Sequence, residues 1–257
     1  MDGHHVATLA SGLEGVAGWE CPLCGGNGRP TLEFGSAARI RYCDCEGDVI
    51  LSFPFGSVEE YERQYETGAY HEEEMLRSHR QVFVQRDAEY LQAALCRLDL
   101  IRQVIPEGRL LDVGAGTGAL VAQAQATGYQ AVGWEPSRPM VKWAQAQGRP
   151  LQAGGWQQVQ GMWEVITLCD VLEHLTSPRD CLDHLRNSLA PEGLLYVEFP
   201  EVGGDGWERH IKPREHLFLL SDAAAQYLFA KSGFRINALW RPLRGRIGKI
   251  AYFLEKR

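Results

Sequence analysis

Short apolar stretches alternate with helical patterns over much of the chain. The first clear stretch, residues 110–113, is followed at once by a turn and by a helical pattern over 119–127. Further strand-like stretches occur at 130–134, near 151–156, and at 163–168, 194–199 and 249–255. Strands that alternate with helices in this way predict the α/β fold class, with an open and mostly parallel sheet.

Helical patterns also precede this region. Residues 57–74 are rich in glutamate, and Tyr61 and Tyr65 are four positions apart, which places both on one helical face. Ser57 and Glu60 have the spacing of a capping box, which marks a helix start. From residue 75 to residue 104 the apolar residues recur at helical spacing, and we expect these helices at the edge of a cleft.

The composition is that of a chain with one sizeable core and a small appendage: 257 residues, 45% of them hydrophobic. No stretch approaches the ~18 apolar residues of a membrane span. The N-terminus lacks the basic flank and apolar core of a secretory signal. We therefore expect a cytoplasmic protein with no membrane partner.

The formal net charge is −7 at pH 7. Non-specific binding of nucleic acid depends mainly on neutralising phosphates, so an acidic chain has no overall bias toward it. The charge is uneven, since 57–74 is acidic and 241–257 is basic. We interpret both stretches as solvated faces and do not expect a nucleic-acid partner.

The turn after the first predicted strand has glycines at alternate positions, Gly114, Gly116 and Gly118. Glycines let the backbone approach a ligand closely, and the helix that follows offers unpaired N–H groups. Asp112 precedes the turn, and the next strand ends in Glu135. An acid in that second position is placed to bind ribose hydroxyls, so the pattern indicates a nucleoside-containing ligand.

Two classes of nucleoside-containing ligand could fit this pattern. A nicotinamide dinucleotide usually requires the wider G-x-G-x-x-G spacing, whereas Asp112 suits a cationic amino-acid group. Residues 111–118 and Glu135 resemble the first motif and the ribose-binding acid of class I S-adenosylmethionine-dependent methyltransferases. Residues 169–175 and 189–197 resemble later motifs of the same family in the same order, so that the resemblance covers roughly residues 75–257.

The resemblance implies a Rossmann-like seven-stranded sheet with helices on both faces and a final antiparallel strand. It also implies S-adenosylmethionine as the cofactor, bound at the carboxyl ends of the strands. The candidate binding residues are Asp112, Gly114, Ala115, Gly116, Gly118, Glu135, Pro136, Gly155, Trp156, Asp170 and Val171. Two alternatives stay open: Trp156 as a core residue, and Asp170 or Glu173 as a cap of the next helix.

Sugar C-methyltransferases, one branch of the family, carry a Glu-His pair that acts in acid/base chemistry, and Glu215 and His216 match it. Histidine titrates near neutral pH and can take a proton from a hydroxyl or a carbon acid. His174 is the rival base, because its loop also faces the methyl group in the family. Alternatively, His216 only orders its loop through a backbone hydrogen bond.

Four of the seven cysteines form two turns before residue 46, and these are Cys21, Cys24, Cys43 and Cys45. Four thiolates suit tetrahedral Zn²⁺, and such a closed site is structural. A disulfide pair is the alternative, and the C-x-C spacing leaves open that His5 or His71 replaces one cysteine. We expect Cys96, Cys169 and Cys181 to be buried as small apolar residues.

These patterns predict a zinc ribbon over 1–54, a helical lid or connector over 55–105 and the methyltransferase domain over 106–257. Resemblance to sugar and secondary-metabolite methyltransferases implies O- or C-methylation of a small molecule, with the tyrosines of 57–74 covering the cofactor or packing on the ribbon. Resemblance to ribosomal RNA methyltransferases with an N-terminal zinc hook makes RNA methylation the alternative. A non-catalytic S-adenosylmethionine-binding module is the alternative from another class.

Overall fold

The structure, a computed structural model, describes residues 21–26, 29–34, 38–53, 58–67, 86–212, 215–241 and 248–257. The strands in these ranges are β1 (Arg29–Phe34), β2 (Ala38–Cys43), β3 (Val49–Phe53), β4 (Arg109–Val113), β5 (Gln130–Glu135), β6 (Leu151–Ala153), β7 (Trp163–Cys169), β8 (Leu189–Pro200), β9 (Phe218–Leu220), β10 (Phe234–Trp240) and β11 (Lys249–Lys256). The α-helices are α1 (Val58–Thr67), α2 (Asp87–Ile101), α3 (Ala119–Ala126), α4 (Arg138–Ala146), α5 (Pro178–Ser188) and α6 (Asp222–Lys231).

A seven-stranded sheet of order β10-β11-β8-β7-β4-β5-β6 confirms the predicted fold class. Strand β11 runs antiparallel to both of its neighbours, and the others are parallel to one another. The chain moves outward from β4 in both directions, to β5 on one side and to β7 on the other. The winding of the chain therefore reverses at β4, and ligands bind at the carboxyl end of the sheet beside such a point in folds of this kind.

Helices cover both faces of this sheet because its strands are apolar on both sides. Along β8, Leu195 and Val197 join one buried cluster, which includes residues of α5 and α6. Leu194 and Tyr196 point the other way, into a second cluster with residues of α2, α3 and α4. This two-residue alternation places the sheet between two apolar layers.

A second, antiparallel sheet has the order β1-β2-β3-β9. Its last strand comes from the far part of the chain: Val49 of β3 pairs with Leu220 of β9. Beside this pair, the N–H of Ser221 donates to the carbonyl of Asp48 at 2.8 Å, and the N–H of Asp48 donates to Ser221 Oγ at 3.0 Å. The cysteine-rich segment is thus joined by hydrogen bonds to the part of the chain that follows β8, while the domain boundaries 1–54, 55–105 and 106–257 stay a prediction.

Two expectations about side-chain exposure were wrong. Cys96 is exposed and Cys169 is partly exposed, whereas Cys181 is buried as expected. Helix α2 buries the stripe that contains Ala94 and Leu98, and Cys96 lies between these two positions on the outer side.

The basic stretch near the end of the chain is also more than a solvated face. Arg241, which follows β10, donates to both carboxylate oxygens of Glu201. Lys249, the first residue of β11, donates to Asp170, because β11 lies inside the sheet between β10 and β8. Among the described helices, none has the length and apolar character needed to cross a membrane. Ser57, His5 and His71 lie outside the described residues.

Candidate active site

A cleft of about 970 Å³ opens at the carboxyl ends of β4, β5 and β7. Thirteen of the residues predicted for cofactor binding or catalysis line it: Asp112, Gly114, Ala115, Gly116, Glu135, Pro136, Gly155, Trp156, Asp170, Val171, His174, Glu215 and His216. Gly118 lies outside the lining, as the left-handed residue (φ 72°) that precedes α3. The residues come from separate loops, and their placement in one cleft follows from the strand order.

The loop after β4 requires glycine at its first position. Gly114 has a φ of 74°, and a Cβ atom there would lie 2.4 Å from Val171 Cγ2, in the loop after β7. Gly116 (φ 53°) has no atom within 4 Å of the position where a Cβ would be. The first glycine therefore allows two loops to pack together, and the second leaves open space that a ligand can use.

Glu135 is held by the glycine loop. The backbone N–H of Gly116 donates to its Oε2, and that of Ser137 donates to its Oε1, both at 2.8 Å. The side chain is buried, and burial raises the pKa of Glu135 to about 7 against the lowering effect of these two bonds. Its remaining lone pairs are the acceptors that ribose hydroxyls require.

Asp112 is the second buried acid at this end of the cleft. It accepts a hydrogen bond from Thr167 Oγ1 at 2.7 Å, and Thr167 lies on the neighbouring strand β7. Burial raises the pKa of Asp112 to about 6, although the Thr167 bond and the charge of Arg97 oppose the change.

A buried charge network lies beside the loop after β7. Lys249 Nζ donates to both oxygens of Asp170, at 2.5 and 2.6 Å, and Arg97 pairs with Glu198 at 2.6 Å and with Asp170 at 3.6 Å. Burial alone would raise the pKa of Asp170, but the charges of Lys249 and Arg97 hold it below its usual range. Asp170 therefore pairs with two cations and caps no helix. Arg97 and Lys249 were missed from the sequence, because their roles depend on contacts with distant strands.

Two histidines face each other in the cleft, with ring centroids 4.8 Å apart. His216 Nδ1 lies 2.7 Å from the carbonyl of His210, and His174 Nδ1 lies 2.7 Å from the carbonyl of Glu215. A carbonyl only accepts, so Nδ1 of each ring carries the proton and Nε2 offers a lone pair. The loop-ordering bond considered for His216 is therefore present together with a free Nε2.

Helix α1 adds two tyrosines to this cluster. Tyr61 Oη donates to the carbonyl of Glu215 at 2.8 Å, and Tyr65 Oη lies 2.9 Å from His174 Nδ1. The tyrosine rings contact each other edge to face, with centroids 5.1 Å apart. The predicted shared face of Tyr61 and Tyr65 is thus confirmed, and it points into the cleft.

The histidines lie in an environment that disfavours positive charge. Burial, together with His174 and Lys212, lowers the pKa of His216 to about 2, and burial also lowers the pKa of His174. Glu173 lies beside them, fully buried, with neither carboxylate oxygen bonded to any described residue. The sequence suggested Glu173 only as a possible helix cap, and its carboxylate caps none of the described helices.

The four cysteines of the N-terminal segment meet in a separate cluster. Their Sγ atoms all lie within 4.8 Å of one another; Cys21 and Cys45 are 3.8 Å apart, and Cys24 and Cys43 are 3.7 Å apart. A tetrahedron of thiolates at a Zn–S distance of ~2.3 Å has sulfur atoms ~3.8 Å apart, so this arrangement fits Zn²⁺. Arg179 of α5 donates to the carbonyl of Pro22 and ties this turn to the larger sheet.

The family model described as "Methyltransferase domain" matches residues 78–239, well over half of the chain. A curated protein, the tRNA U34 carboxymethyltransferase of Syntrophotalea carbinolica, is 29% identical over 143 residues, which are 49% of this chain and 44% of that protein. The chain therefore spans less than half the length of the curated relative that it matches.

Solved structures share the fold. Magnesium protoporphyrin IX methyltransferase from Synechocystis PCC 6803, with bound SAH, superposes with a TM-score of 0.60 at 17% identity, over 78% of this chain and 100% of that one. The 1,6-didemethyltoxoflavin-N1-methyltransferase of Burkholderia thailandensis, solved with bound 1,6-didemethyltoxoflavin and S-adenosylhomocysteine, also gives a TM-score of 0.60, at 15% identity over 89% of this chain and 99% of that one.

Proposed function

The chain belongs to the methyltransferase domain family, and from that premise we propose that it transfers the methyl group of S-adenosylmethionine to a small-molecule acceptor. It is a class I S-adenosylmethionine-dependent methyltransferase by family and fold. The observation that carries the finer proposal is one cleft in which a glycine loop with its acid, Glu135, lies opposite two imidazoles with free Nε2 atoms.

The cofactor end of the cleft is assigned to the loops after β4 and β5. Gly116 provides the open space, and Glu135 provides the acceptors for ribose hydroxyls. The network of Asp170, Lys249 and Arg97 supplies charges of both signs, as an amino-acid moiety with an ammonium and a carboxylate requires. When bound, S-adenosylmethionine supplies a methyl group that is already activated by its sulfonium, so the protein has to align the reactants and remove a proton.

The acceptor end is assigned to the histidine pair. We propose His216 as the proton acceptor, because its Nδ1–H bond to His210 fixes the ring and leaves Nε2 free. His174 is held in the same way and stays the rival. Glu215 acts indirectly, since its carbonyl accepts from Tyr61 and from the His174 ring while its carboxylate pairs with Lys212 at 3.0 Å.

A cleft of about 970 Å³ matches the size of small-molecule sites, which typically have volumes of roughly 300–1,000 Å³. Tyr61 and Tyr65 of α1 line it, so this helix partly covers the reaction centre. A cleft of this size that a helix partly covers favours a sugar or natural-product intermediate, methylated on oxygen or carbon, over a polymer.

RNA methylation is the second candidate, and the observation that favours it is the curated relative that acts on tRNA. Its identity is low and covers about half of this chain, so it carries less weight than the covered cleft.

The experiment that tests the proposal follows label from methyl-tritiated S-adenosylmethionine into separate pools of total RNA and of small-molecule extract. We expect label in the extract only, and it should disappear in a Glu135→Ala variant. Label in RNA would establish the second candidate. A protein that binds S-adenosylhomocysteine in calorimetry but labels neither pool would be a binding module, and the proposed transfer would be wrong.

We also propose that Cys21, Cys24, Cys43 and Cys45 hold one structural Zn²⁺. The four sulfur atoms leave no position for a water nucleophile, so the ion stabilises the small sheet and takes no part in methyl transfer.

A further inference from the structure

Glu173 is the buried acid that the proposed mechanism does not use. It lies in the 3₁₀ turn Leu172–His174 after β7, and its side chain is 1% exposed. The N–H of Leu217, next to His216, donates to the main-chain carbonyl of Glu173 at 2.8 Å, which fixes the turn against the segment that carries His216. One carboxylate oxygen of Glu173 and one nitrogen each of His174 and His216 all lie within 4.8 Å of one another.

A buried carboxylate without a hydrogen-bond partner is unfavourable, and proteins resolve it by protonation or by a nearby positive charge. The positively charged form of His216 is also unfavourable. Its ring is buried beside His174, and Lys212 adds a positive charge, so an imidazolium formed there lacks stabilisation. If Glu173 is ionised, a proton that binds to His216 places an imidazolium beside the carboxylate, and each charge stabilises the other.

We propose that Glu173 is the positioning residue that enables His216 to act as a base, by providing the negative charge that stabilises the imidazolium formed during methyl transfer. This inference rests on the proposed function and deepens it. It also identifies the acceptor as a group that loses a proton, a hydroxyl or a carbon acid, since a neutral amine has no need of this pair.

The O–H or C–H bond of the acceptor breaks, and its proton bonds to Nε2 of His216. The electron pair left on the acceptor forms the new bond to the methyl carbon, and the pair of the breaking C–S bond stays on sulfur. The net change in the protein is one proton gained by the pair of Glu173 and His216, which is later released to solvent.

The charges around Glu173 determine the pH at which its carboxyl group ionises. Asp170, after β7, repels its negative charge, while Lys249 of β11 and Lys212 attract it. Glu198 of the adjacent strand β8 is already paired with Arg97. Burial and Asp170 dominate, and the pKa of Glu173 is raised to about 8. The form that can accept a proton from the acceptor has Glu173 ionised and His216 neutral. Its population therefore falls below pH 8 and rises above it.

A carboxylate and two imidazoles also form a ligand set for a divalent metal ion. Lys249 and Lys212 act on Glu173 with positive charge and disfavour a dication at this place. Metal binding is accordingly the rival outcome of the test.

The first measurement uses the protein alone, without cofactor or acceptor. In protein with ¹³C-labelled glutamate carboxyls, we expect one signal to titrate near pH 8, absent in Glu173→Gln and retained in the control variant Glu192→Gln, which changes an exposed glutamate outside the cleft. If Glu173→Gln does not fold, Glu173→Asp replaces that glutamate signal with an aspartate signal and makes the same assignment. A Glu173 carboxyl that stays protonated up to pH 10 would overturn the proposal, because it would supply no negative charge, as would a second equivalent of bound metal that is lost in Glu173→Gln.

The second measurement is the pH profile of label transfer from S-adenosylmethionine into the small-molecule extract. Wild type and the surface variant Glu192→Gln should show a rise in rate around pH 8. Glu173→Gln should be ~10²-fold slower or more, the usual range for loss of base catalysis, and should lack the rise. Glu173→Asp should regain part of the rate together with a rise.

An unchanged profile in a folded Glu173→Gln protein would refute the proposal. If no label reaches the extract at all, the proposed function fails, while the carboxyl titration still decides the state of Glu173.

Discussion

Replacing Gly114 with alanine should destabilise the protein by more than the strain of its backbone alone. Gly114 has a φ of 74°, and its added Cβ would lie 2.4 Å from Cγ2 of Val171. Gly148 is a matched control, because its φ is 77° and no atom lies within 4 Å of its Cβ position. Both alanine variants share the left-handed strain, and Gly114→Ala alone adds a collision between the two loops of the cleft.

The magnitudes separate the two variants. Left-handed strain costs about 1–2 kcal/mol, which is the full effect expected for Gly148→Ala. Overpacking adds about 1–3 kcal/mol, so Gly114→Ala should lower the free energy of unfolding by roughly 2–5 kcal/mol. Val171→Ala removes the colliding methyl groups. The double variant Gly114→Ala/Val171→Ala should therefore be more stable than the sum of the two single changes predicts, by about 1–3 kcal/mol.

Urea denaturation of the four variants and wild type measures these differences, and calorimetry with S-adenosylhomocysteine measures the effect on the site. Gly114→Ala should weaken binding, since Val171 lines the cleft, and Gly148→Ala should leave it unchanged. The opposite result is that Gly114→Ala and Gly148→Ala lower the free energy of unfolding equally, with no extra stability in the double variant. That result would refute the close packing of the loops after β4 and β7.

Three further predictions concern the cofactor, the metal and the base. Glu135→Ala should weaken S-adenosylhomocysteine binding by about 1–3 kcal/mol, or roughly 5- to 150-fold, through lost charge-assisted hydrogen bonds; tight binding of a nicotinamide dinucleotide in calorimetry would contradict the cofactor assignment. Elemental analysis should find about one zinc per chain, and Cys24→Ser should lower its content together with thermal stability; zinc-free protein never exposed to chelator would refute the site. His216→Ala should reduce turnover ~10²–10⁴-fold with cofactor affinity nearly unchanged, whereas full activity in His216→Ala and its loss in His174→Ala would move the base to the loop after β7.

The sequence predicted those parts of the site that depend on local pattern. The glycines at 114, 116 and 118 and the acids Asp112 and Glu135 are recognisable because a strand, a turn and a helix follow one another within a few residues. Their placement in one cleft follows from the strand order of a doubly wound sheet.

Long-range pairs were not predictable in this way. Arg97 of α2 meets Glu198 of β8, and Lys249 of β11 meets Asp170 after β7, at separations that no local pattern encodes. Glu173 was considered only as a possible helix cap. Its local sequence does not distinguish it from the neighbouring His174 as a functional residue, and only its burial without a partner among the described residues does so.

The small sheet gives the metal site a connection to the reaction centre that the sequence did not suggest. Strand β9 begins two residues after His216 and pairs with β3, which follows the turn of Cys43 and Cys45. Between His216 and β9, the N–H of Leu217 donates to the main-chain carbonyl of Glu173. The backbone of residues 216–220 therefore carries His216, bonds to the turn of Glu173 and forms the edge of the cysteine-rich sheet. Loss of zinc should in consequence reduce methyl transfer by displacing His216, even though the ion itself has no position open to substrate.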